Sequence, residues 1–143
     1  MGGRPRAAAR RSGVVILVDT SAWIEFLRDT GSPVCEAVDQ LLDQDLAVTD
    51  AIRMELLAGA RDEQHLRDLR GLIARTTVLA TTPGDHDQAA ALYRACRQRG
   101  ETVRKLIDCL IGAVAIREDV EVLHLDSDFA ALARHTPLRE LTL

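Results

Sequence analysis

The chain has 143 residues, a net charge of −4 and a composition that is 47% hydrophobic but only 3% aromatic. This length favours one domain with a sizeable core, because a chain of this size buries well over half of its unfolded surface. The scarcity of aromatic side chains argues against domains that bind single-stranded nucleic acid by stacking its bases on aromatic platforms.

Charge is unevenly distributed along the chain. Residues 1–13 carry four arginines and no acid, so the remaining residues carry a net charge of −8. We expect residues 1–13 to form a disordered basic arm and residues 14–143 to form the domain. A domain this acidic is not a general phosphate binder, and a nucleic-acid substrate would require divalent metal to neutralise its phosphates.

The three cysteines, Cys35, Cys96 and Cys109, are far apart and form no C-x-x-C pair. This spacing argues against a zinc site or a disulfide framework and favours a reducing compartment. No apolar stretch approaches the ~18–20 residues of a membrane span. We therefore expect a soluble protein of the cytoplasm.

Apolar strands and amphipathic helices alternate along residues 14–143. The predicted strands cover residues 14–18, 46–48, 76–79 and 122–125, with a final edge strand at 138–143. The predicted helices cover residues 22–27, 33–42, 49–59, 62–74, 82–100, 103–118 and 127–133. This alternation favours an α/β fold with a mostly parallel sheet of four or five strands, covered by helices on both faces.

Hydroxyl and carboxyl side chains mark several of the predicted helix starts. We expect Ser32 to cap the second helix, with Pro33 at its first position. In the fifth helix, Asp85 and Gln88 have the spacing of a capping box. Thr102 is placed to cap the sixth.

Asp19 directly follows the first predicted strand and precedes two hydroxyls, Thr20 and Ser21. The apolar run before it shows no alternation, which is typical of a strand buried on both faces. An acid after such a strand lies where open α/β sheets bind their ligands. Aspartate is also a usual helix N-cap, so Asp19 taken alone is either a ligand residue or a cap.

Asp108 is the only charged residue in the apolar run from Leu106 to Ile116, which predicts a buried helix. An unpaired carboxylate there would cost several kcal/mol, so Asp108 requires either a cation or an ion-pair partner such as Arg104. Gly112 follows one turn later, and we expect it to leave this face of the helix open to close approach.

Two further acids occupy informative positions. Asp126 follows the fourth predicted strand and precedes Ser127, an arrangement that repeats the one around Asp19, and helix capping is again the alternative. Glu55 lies on the third predicted helix among apolar neighbours, where it is either a site residue or a solvated helix residue. Two acids at strand ends and one buried in a helix make a shared site the more economical interpretation.

Converging carboxylates would supply the oxygen ligands that Mg²⁺ and Mn²⁺ require at ~2.0–2.2 Å. A metal held in this way activates water and stabilises charge on a phosphate. Other chemistries lack their motifs, since the chain contains no Walker loop, no G-x-G-x-x-G and no G-x-S-x-G. Ser21 stands where a haloacid-dehalogenase-like phosphatase has its second aspartate, and Cys109 lies in the apolar helix with no histidine nearby to activate it.

Four segments of the chain resemble the PIN-domain ribonucleases and, more narrowly, the VapC toxins of VapBC toxin–antitoxin pairs. They are residues 18–24, 54–59, 100–111 and 126–129. Each segment is weak by itself, but the ordered set is specific, and only the basic arm lies outside the part of the chain that it spans.

This resemblance implies a PIN-like three-layer α/β/α fold with a metal site that binds Mg²⁺ or Mn²⁺. The implied ligands are Asp19, Glu55, Asp108 and Asp126, with Asp128 as a further candidate and Thr20, Ser21 and Arg104 as supporting residues. The resemblance also implies endonucleolytic cleavage of RNA, inhibition of growth, and a homodimer. The implied partner is a VapB-like antitoxin, bound in a heterotetramer or a larger assembly.

Five basic residues fall within the twelve positions that lead towards Asp108, namely Arg94, Arg97, Arg99, Arg104 and Lys105. They are suited to hold RNA phosphates beside a metal. For the first three, the alternative is a solvated helix end that balances a negative domain, whereas Arg104 is better placed to reach the site.

The sequence thus leads to the hypothesis of a metal-dependent endoribonuclease that acts as a toxin. A basic side chain from an antitoxin tail would occupy such an acidic site and inhibit it directly. The rival hypothesis is a catalytically silent PIN-like module that binds RNA or a partner without cleaving it. The complete set of four acids argues against this rival.

Overall fold

The computed structural model describes residues 14–143, and the predicted basic arm lies outside these described residues. The strands are β1 (Ile16–Val18), β2 (Leu46–Thr49), β3 (Thr77–Leu79) and β4 (Glu121–Leu123). The helices are α1 (Thr20–Leu27), α2 (Pro33–Leu41), α3 (Asp50–Ala58), α4 (Glu63–Ile73), α5 (Pro83–Gln98), α6 (Leu106–Glu118) and α7 (Ser127–His135).

The four strands form one parallel sheet in the order β3-β2-β1-β4. Leu17 of β1 pairs with Ala47 of β2 on one side and with Val122 of β4 on the other. Helices connect and flank these strands, so the predicted α/β fold with a parallel sheet is confirmed. The predicted edge strand at 138–143 is instead an isolated bridge between Val122 and Glu140, made by two backbone hydrogen bonds.

The strand order creates a switch point at β1. From β1 the chain builds outward through β2 to β3, and it then returns to add β4 on the opposite side of β1. Parallel sheets bind ligands outside the carboxyl ends of the strands at such a point, because the connecting helices diverge there. Asp19 follows β1 and Asp126 follows β4 after a short loop, so both acids leave the sheet at this switch point.

The hydrophobic core surrounds β1 and includes most of α6. Leu17 and Val18 are fully buried, and each buried side chain of this size contributes roughly 1.5–3 kcal/mol to stability. On α6, Ile111 and Val114 are also fully buried, as its uniformly apolar sequence predicted. A side chain that is charged in this helix is therefore held in a medium of low polarity.

Gly112 allows a close approach to α6, and the groups that approach it are apolar side chains of the core. A β-carbon on Gly112 would lie 3.4 Å from Leu132 Cδ1 and 3.8 Å from Leu138 Cδ1. The small residue thus fits α6 closely against the chain around α7.

Two helix starts differ from the sequence-based expectation. The capping box of α5 joins Thr82 to Asp85, not Asp85 to Gln88, because Thr82 is the N-cap and Asp85 is the third helical residue. The sixth helix begins at Leu106 and has no side-chain cap from Thr102 or any neighbour in sequence. Ser32 caps α2 with Pro33 in its first turn, as predicted.

None of the helices within residues 14–143 combines the length and the apolar character that crossing a membrane would require.

Candidate metal centre

Asp19 is the N-cap of α1, and only one of its two carboxylate oxygens accepts hydrogen bonds from the described residues. Its Oδ2 accepts hydrogen bonds from the Ser21 backbone N–H at 3.0 Å and from the Ser21 hydroxyl at 2.7 Å. Its Oδ1 is buried without a hydrogen-bond partner among the described residues. Burial raises the pKa of Asp19, and this effect outweighs the hydrogen bonds from Ser21, which lower it. Capping and ligand binding, the two alternatives left by the sequence, are thus compatible.

Ser21 and Thr20 connect the end of β1 to two other parts of the site. The Ser21 hydroxyl oxygen accepts a hydrogen bond from the Leu125 backbone N–H at 2.9 Å, which joins the end of β1 to the loop after β4. The Thr20 hydroxyl donates a hydrogen bond to Glu55 Oε1 at 2.6 Å, which joins α1 to α3. Each hydroxyl thus contacts one of the predicted acids, Ser21 contacting Asp19 and Thr20 contacting Glu55.

Asp108 is almost fully buried on the first turn of α6, with 2% of its surface exposed. Burial is the main reason that its pKa is raised to about 8, and a hydrogen bond to Asp128 and the charge of Asp19 raise it further. Its Oδ2 has no hydrogen-bond partner in the described part of the chain. A cation placed at this oxygen would favour the ionised carboxylate.

Three carboxylates gather at this point. Asp108, Asp126 and Asp128 each place an oxygen within 4.8 Å of the other two. Asp126 is also the N-cap of α7, since its side chain accepts a hydrogen bond from the Asp128 backbone N–H at 2.9 Å. As at the end of β1, helix capping orients an acid at the site.

Asp128 of α7 is hydrogen-bonded to the backbone just before α6, although it follows that segment by more than twenty residues in sequence. Its Oδ1 accepts a hydrogen bond from the Arg104 backbone N–H, and its Oδ2 accepts one from the Lys105 backbone N–H, both at 3.0 Å. Although burial acts to raise the pKa of Asp128, the hydrogen bonds that it accepts lower it overall. This contact fixes the first turn of α6, and Asp108 with it, against α7.

Arg104 and Lys105 bring positive charge to the same acids. Lys105 Nζ lies 2.9 Å from Asp126 Oδ2 and 3.7 Å from Asp108 Oδ2. Arg104 contacts Asp126 Oδ1 at 3.1 Å and Asp128 Oδ1 at 3.4 Å. Burial acts to raise the pKa of Asp126, but its hydrogen bonds and these cations outweigh that effect and lower it.

The predicted site residues thus fall into three groups. Asp108, Asp126 and Asp128 converge, and Asp19 lies close enough for its charge to act on Asp108 and Asp126. Glu55 lies outside this cluster and is hydrogen-bonded to Thr20. The predicted alternative of an Arg104–Asp108 ion pair is wrong. Lys105, three residues before Asp108, makes that contact, and the sequence had placed it only among the phosphate-binding candidates.

The donor set fits a hard divalent cation. Every converging group is a carboxylate, and two oxygens that point into buried space, Asp19 Oδ1 and Asp108 Oδ2, lack hydrogen-bond partners among residues 14–143. Buried polar atoms normally have hydrogen-bond partners, so two buried carboxylate oxygens that accept no hydrogen bond are suited to a cation, although Lys105 Nζ lies 3.7 Å from the one on Asp108. Oxygen-only sites of this type suit Mg²⁺, Ca²⁺ or Mn²⁺ better than softer metals.

Comparison with known proteins identifies the family. The family model of the PIN domain matches residues 16–135. The chain belongs to the PIN-domain family.

Two curated relatives and one solved structure illustrate the relationship. "Ribonuclease VapC11" of Mycobacterium tuberculosis and "VapC ribonuclease Mb1587" of Mycobacterium bovis are each 42% identical over 129 residues, covering 87% of this chain and 96% of the relative. The VapBC2 structure from Rickettsia felis, bound to a DNA fragment from its promoter, superposes with a TM-score of 0.73. It is 16% identical over 90% of this chain and 98% of its own, so it supports the fold alone.

A basic groove lies beside the acids of this PIN domain. It is lined between α5 and α6 by Tyr93, Arg94, Arg97, Val103 and Arg104, with Ala90 and Leu106. The Arg97 guanidinium lies 5.6 Å from the centre of the Tyr93 ring, within the range of a cation–π contact. Arg104 belongs both to this groove and to the acidic site. Three of the five predicted basic residues therefore line this groove, and Arg104 connects it to the acidic cluster; Arg99 and Lys105 are not among the lining residues.

Proposed function

We propose that this VapC-like PIN-domain protein is the toxin of a type II toxin–antitoxin pair and cleaves RNA as a metal-dependent endoribonuclease. The observation that supports the proposal best is the state of Asp108. Its carboxyl group is buried in an apolar helix, faces other acids, and presents an oxygen that accepts no hydrogen bond from the described residues and has only the ammonium of Lys105 nearby, at 3.7 Å. Stability alone would favour an apolar residue at this position, whereas a cation site requires the carboxylate.

In this proposal Asp19, Asp108 and Asp126 hold the metal, Asp128 borders the site, and Glu55 reaches it through a contact with Thr20. The ion is Mg²⁺ or Mn²⁺. When bound, such a cation supplies two effects for phosphodiester hydrolysis, activation of a water molecule and neutralisation of charge on the scissile phosphate.

The remaining side chains orient these groups and the substrate. The Ser21 hydroxyl holds Asp19 Oδ2, which leaves the buried Oδ1, unpartnered among residues 14–143, to bind the metal. Asp128 fixes the first turn of α6 and thereby the position of Asp108. Arg104 is 66% exposed and lies between the acids and the basic groove, where it is placed to contact an RNA phosphate adjacent to the cleaved bond.

The proposed partner is a VapB-like antitoxin, since the curated relatives are VapC proteins and the R. felis structure is of a VapBC2 complex. An antitoxin that presents a lysine or arginine to the acids would neutralise them and exclude the metal. We also expect a homodimer of the toxin, assembled with the antitoxin in a heterotetramer or larger complex. The separate, unpaired cysteines favour action in the cytoplasm.

The test is RNA cleavage by the purified protein with and without Mg²⁺ or Mn²⁺. Asp108→Asn should reduce cleavage by about a hundredfold or more, because loss of residues that merely support a metal ligand already costs ~10–100-fold. Asp119→Asn is the matched control. It makes the same chemical change at an exposed, left-handed residue at the other end of α6, a conformation that asparagine tolerates.

The rival, a silent PIN-like binding module, predicts RNA binding without metal-dependent cleavage by the wild-type protein. Metal-dependent cleavage that Asp108→Asn leaves intact, with circular dichroism showing both variants folded, would contradict the proposed site. Cleavage that is lost with Asp108→Asn and retained with Asp119→Asn would support it.

A further inference from the structure

Lys105 is the only lysine in the chain, and its ammonium group lies among the acids of the proposed metal site. Its Nζ is 2.9 Å from Asp126 Oδ2 and 3.7 Å from Asp108 Oδ2. The charge of Asp19 also acts on it. One cation therefore interacts with all three acids that we propose as the principal metal ligands.

The main chain of Lys105 is anchored by a hydrogen bond, whereas its side chain is half exposed. Its backbone N–H donates to Asp128 Oδ2 at 3.0 Å, which anchors the residue at the start of α6. Its side chain is 51% exposed, whereas the Asp126 and Asp108 side chains are 7% and 2% exposed. A lysine has a flexible four-carbon stem, so the ammonium can leave the acids while the backbone stays in place.

Arg104 does not have the same relation to the site. It contacts Asp126 and Asp128 but not Asp108, and its side chain is 66% exposed at the mouth of the basic groove. Among the described residues, Lys105 is the cation that reaches the Oδ2 atom of Asp108, an atom that has no hydrogen-bond partner. The ammonium group of Lys105, and not the guanidinium of Arg104, therefore lies between Asp108 and Asp126.

A divalent ion and this ammonium group cannot occupy the same space. A metal bound by Asp108 and Asp126 would lie ~2.0–2.2 Å from their oxygens, close to the present position of Lys105 Nζ. Two cations this close repel each other strongly in a partly buried site, where water screens charge poorly. Binding of the metal therefore requires the ammonium to move outward.

We propose that Lys105 is a displaceable counter-ion of the acidic site, which neutralises the acids when metal is absent and leaves them when a divalent cation binds. This inference rests on the proposed metal site and adds a regulatory consequence to it. Since the metal must displace the lysine, Lys105 weakens metal binding and sets the concentration of free metal at which the site fills.

The first experiment measures the affinity for Mn²⁺ of the full-length protein, from the electron paramagnetic resonance signal of free Mn²⁺. Lys105→Met removes the competing charge and keeps a long apolar stem. We expect its dissociation constant for Mn²⁺ to fall by about fivefold, the equivalent of ~1 kcal/mol for a partly exposed ion pair.

Arg139→Met is the matched control. Arg139 is 50% exposed and pairs with Asp119, which precedes β4 and so lies at the opposite end of that strand from Asp126. It makes the same change in net charge, and we expect the Mn²⁺ affinity of this variant to equal that of wild type. A Lys105→Met variant that binds Mn²⁺ with unchanged or weaker affinity would overturn the inference, because Lys105 would then not compete with the metal.

A second experiment observes the side chain directly. Labelling with ¹³C-lysine gives one set of side-chain signals, since the chain contains a single lysine. Titration with Mg²⁺ should move the ε-carbon signal towards the position of free lysine and sharpen it. Signals that stay unchanged while Mg²⁺ binds would show that Lys105 remains among the acids, which would contradict its displacement.

Different results would contradict the proposed metal site and the proposed role of Lys105. If wild-type protein binds no Mn²⁺ and Asp108→Asn does not alter this, the proposed metal site itself is wrong, and the role of Lys105 falls with it. If wild-type protein binds Mn²⁺ and Asp108→Asn abolishes binding, the metal site stands. The behaviour of Lys105→Met and of the lysine signal then decides the inference alone.

Discussion

At the scale of single residues, helix caps orient the acids of this site. Asp19 and Asp126 each cap the helix that follows them. The cap leaves Asp19 Oδ1 without a hydrogen-bond partner among residues 14–143, and it leaves Asp126 Oδ2 to pair with Lys105. A cap fixes the side-chain torsion through hydrogen bonds to backbone groups that cannot move independently of the helix. The acids are therefore held in place in advance of the metal binding that we propose, which lowers the free-energy cost of reorganising the site.

Ser21 is the residue on which this orientation depends most. We predict that Ser21→Ala lowers the free energy of unfolding by about 1–2 kcal/mol, because it removes the hydrogen bond to Asp19 and the acceptor for the Leu125 backbone N–H. The substitution should also reduce RNA cleavage, since Asp19 is then held only by the backbone. Urea denaturation of metal-free protein and a cleavage assay measure the two effects.

Ser127→Ala is the control for this prediction, because it removes an exposed hydroxyl in the first turn of α7 beside Asp126. We expect a change in stability of less than about 0.5 kcal/mol for this variant. Equal effects of the two substitutions, or full activity of Ser21→Ala, would show that the hydroxyl of Ser21 does not position Asp19.

At the scale of elements, local patterns predicted most of the fold, and contacts between distant segments account for the differences. The run before Asp19 predicted β1, and Ser32 with Pro33 predicted the start of α2, because in both cases the decisive interactions lie within a few residues. The start of α6 could not be predicted in this way. Asp128, which the fold brings near from more than twenty residues further along the chain, instead accepts hydrogen bonds from the backbone N–H groups of Arg104 and Lys105, just before the helix.

Contacts between distant segments also limited what the sequence could predict about the acidic site. The sequence predicted that Asp108 requires a cation or an ion-pair partner, because burial of a charge is costly whatever surrounds it. It did not predict that Lys105 supplies this partner, since Arg104 and Lys105 are neighbours and only the geometry at the start of α6 decides which one points inward. The convergence of Asp126 and Asp128 on Asp108 likewise depends on the packing of α7.

Asp85 stabilises the contact between α5 and α6, away from the acidic site. It is buried, closes the capping box of α5, and pairs with Arg117 of α6 through two hydrogen bonds of 2.9 Å. The ion pair with Arg117 is the main reason that the pKa of Asp85 is lowered to about 2. We predict that Asp85→Asn lowers the free energy of unfolding by about 2 kcal/mol at pH 6.

This loss should become smaller in acid. In the unfolded chain Asp85 has an ordinary pKa near 3.8, so between about pH 4 and pH 2 the unfolded state binds more protons than the native state. The stabilisation by Asp85 is therefore complete above this interval and disappears as the pH falls through it. Urea denaturation at pH 6 and pH 3 should show a smaller difference between wild type and Asp85→Asn at pH 3.

Asp87→Asn provides the comparison, since it changes an exposed carboxylate on the same helix. Its effect should stay within about 0.5 kcal/mol at both pH values. A loss of stability in Asp85→Asn that is the same at pH 6 and pH 3 would mean that the ionised carboxylate is not the source of the stabilisation.

At the scale of the whole molecule, positive charge is concentrated where an acidic protein would meet RNA. The chain carries a net charge of −4, yet Arg94, Arg97 and Arg104 line one groove that ends at the proposed metal site. Long-range attraction to RNA is weak for a protein of this charge, so binding must depend on a few local phosphate contacts. The number of those contacts is measurable from the dependence of affinity on salt.

We predict that Arg94→Ala and Arg97→Ala each weaken the binding of single-stranded RNA and reduce the slope of log K against log salt by about 0.7, the contribution of one phosphate contact. Fluorescence anisotropy with the Asp108→Asn protein, which should bind without cutting, measures this slope. Arg139→Ala removes a similarly exposed arginine that pairs with Asp119, away from the groove, and should leave the slope unchanged. If all three substitutions reduce the slope equally, RNA responds to the total charge of the protein. If only the two groove residues do so, RNA follows the groove to the acids.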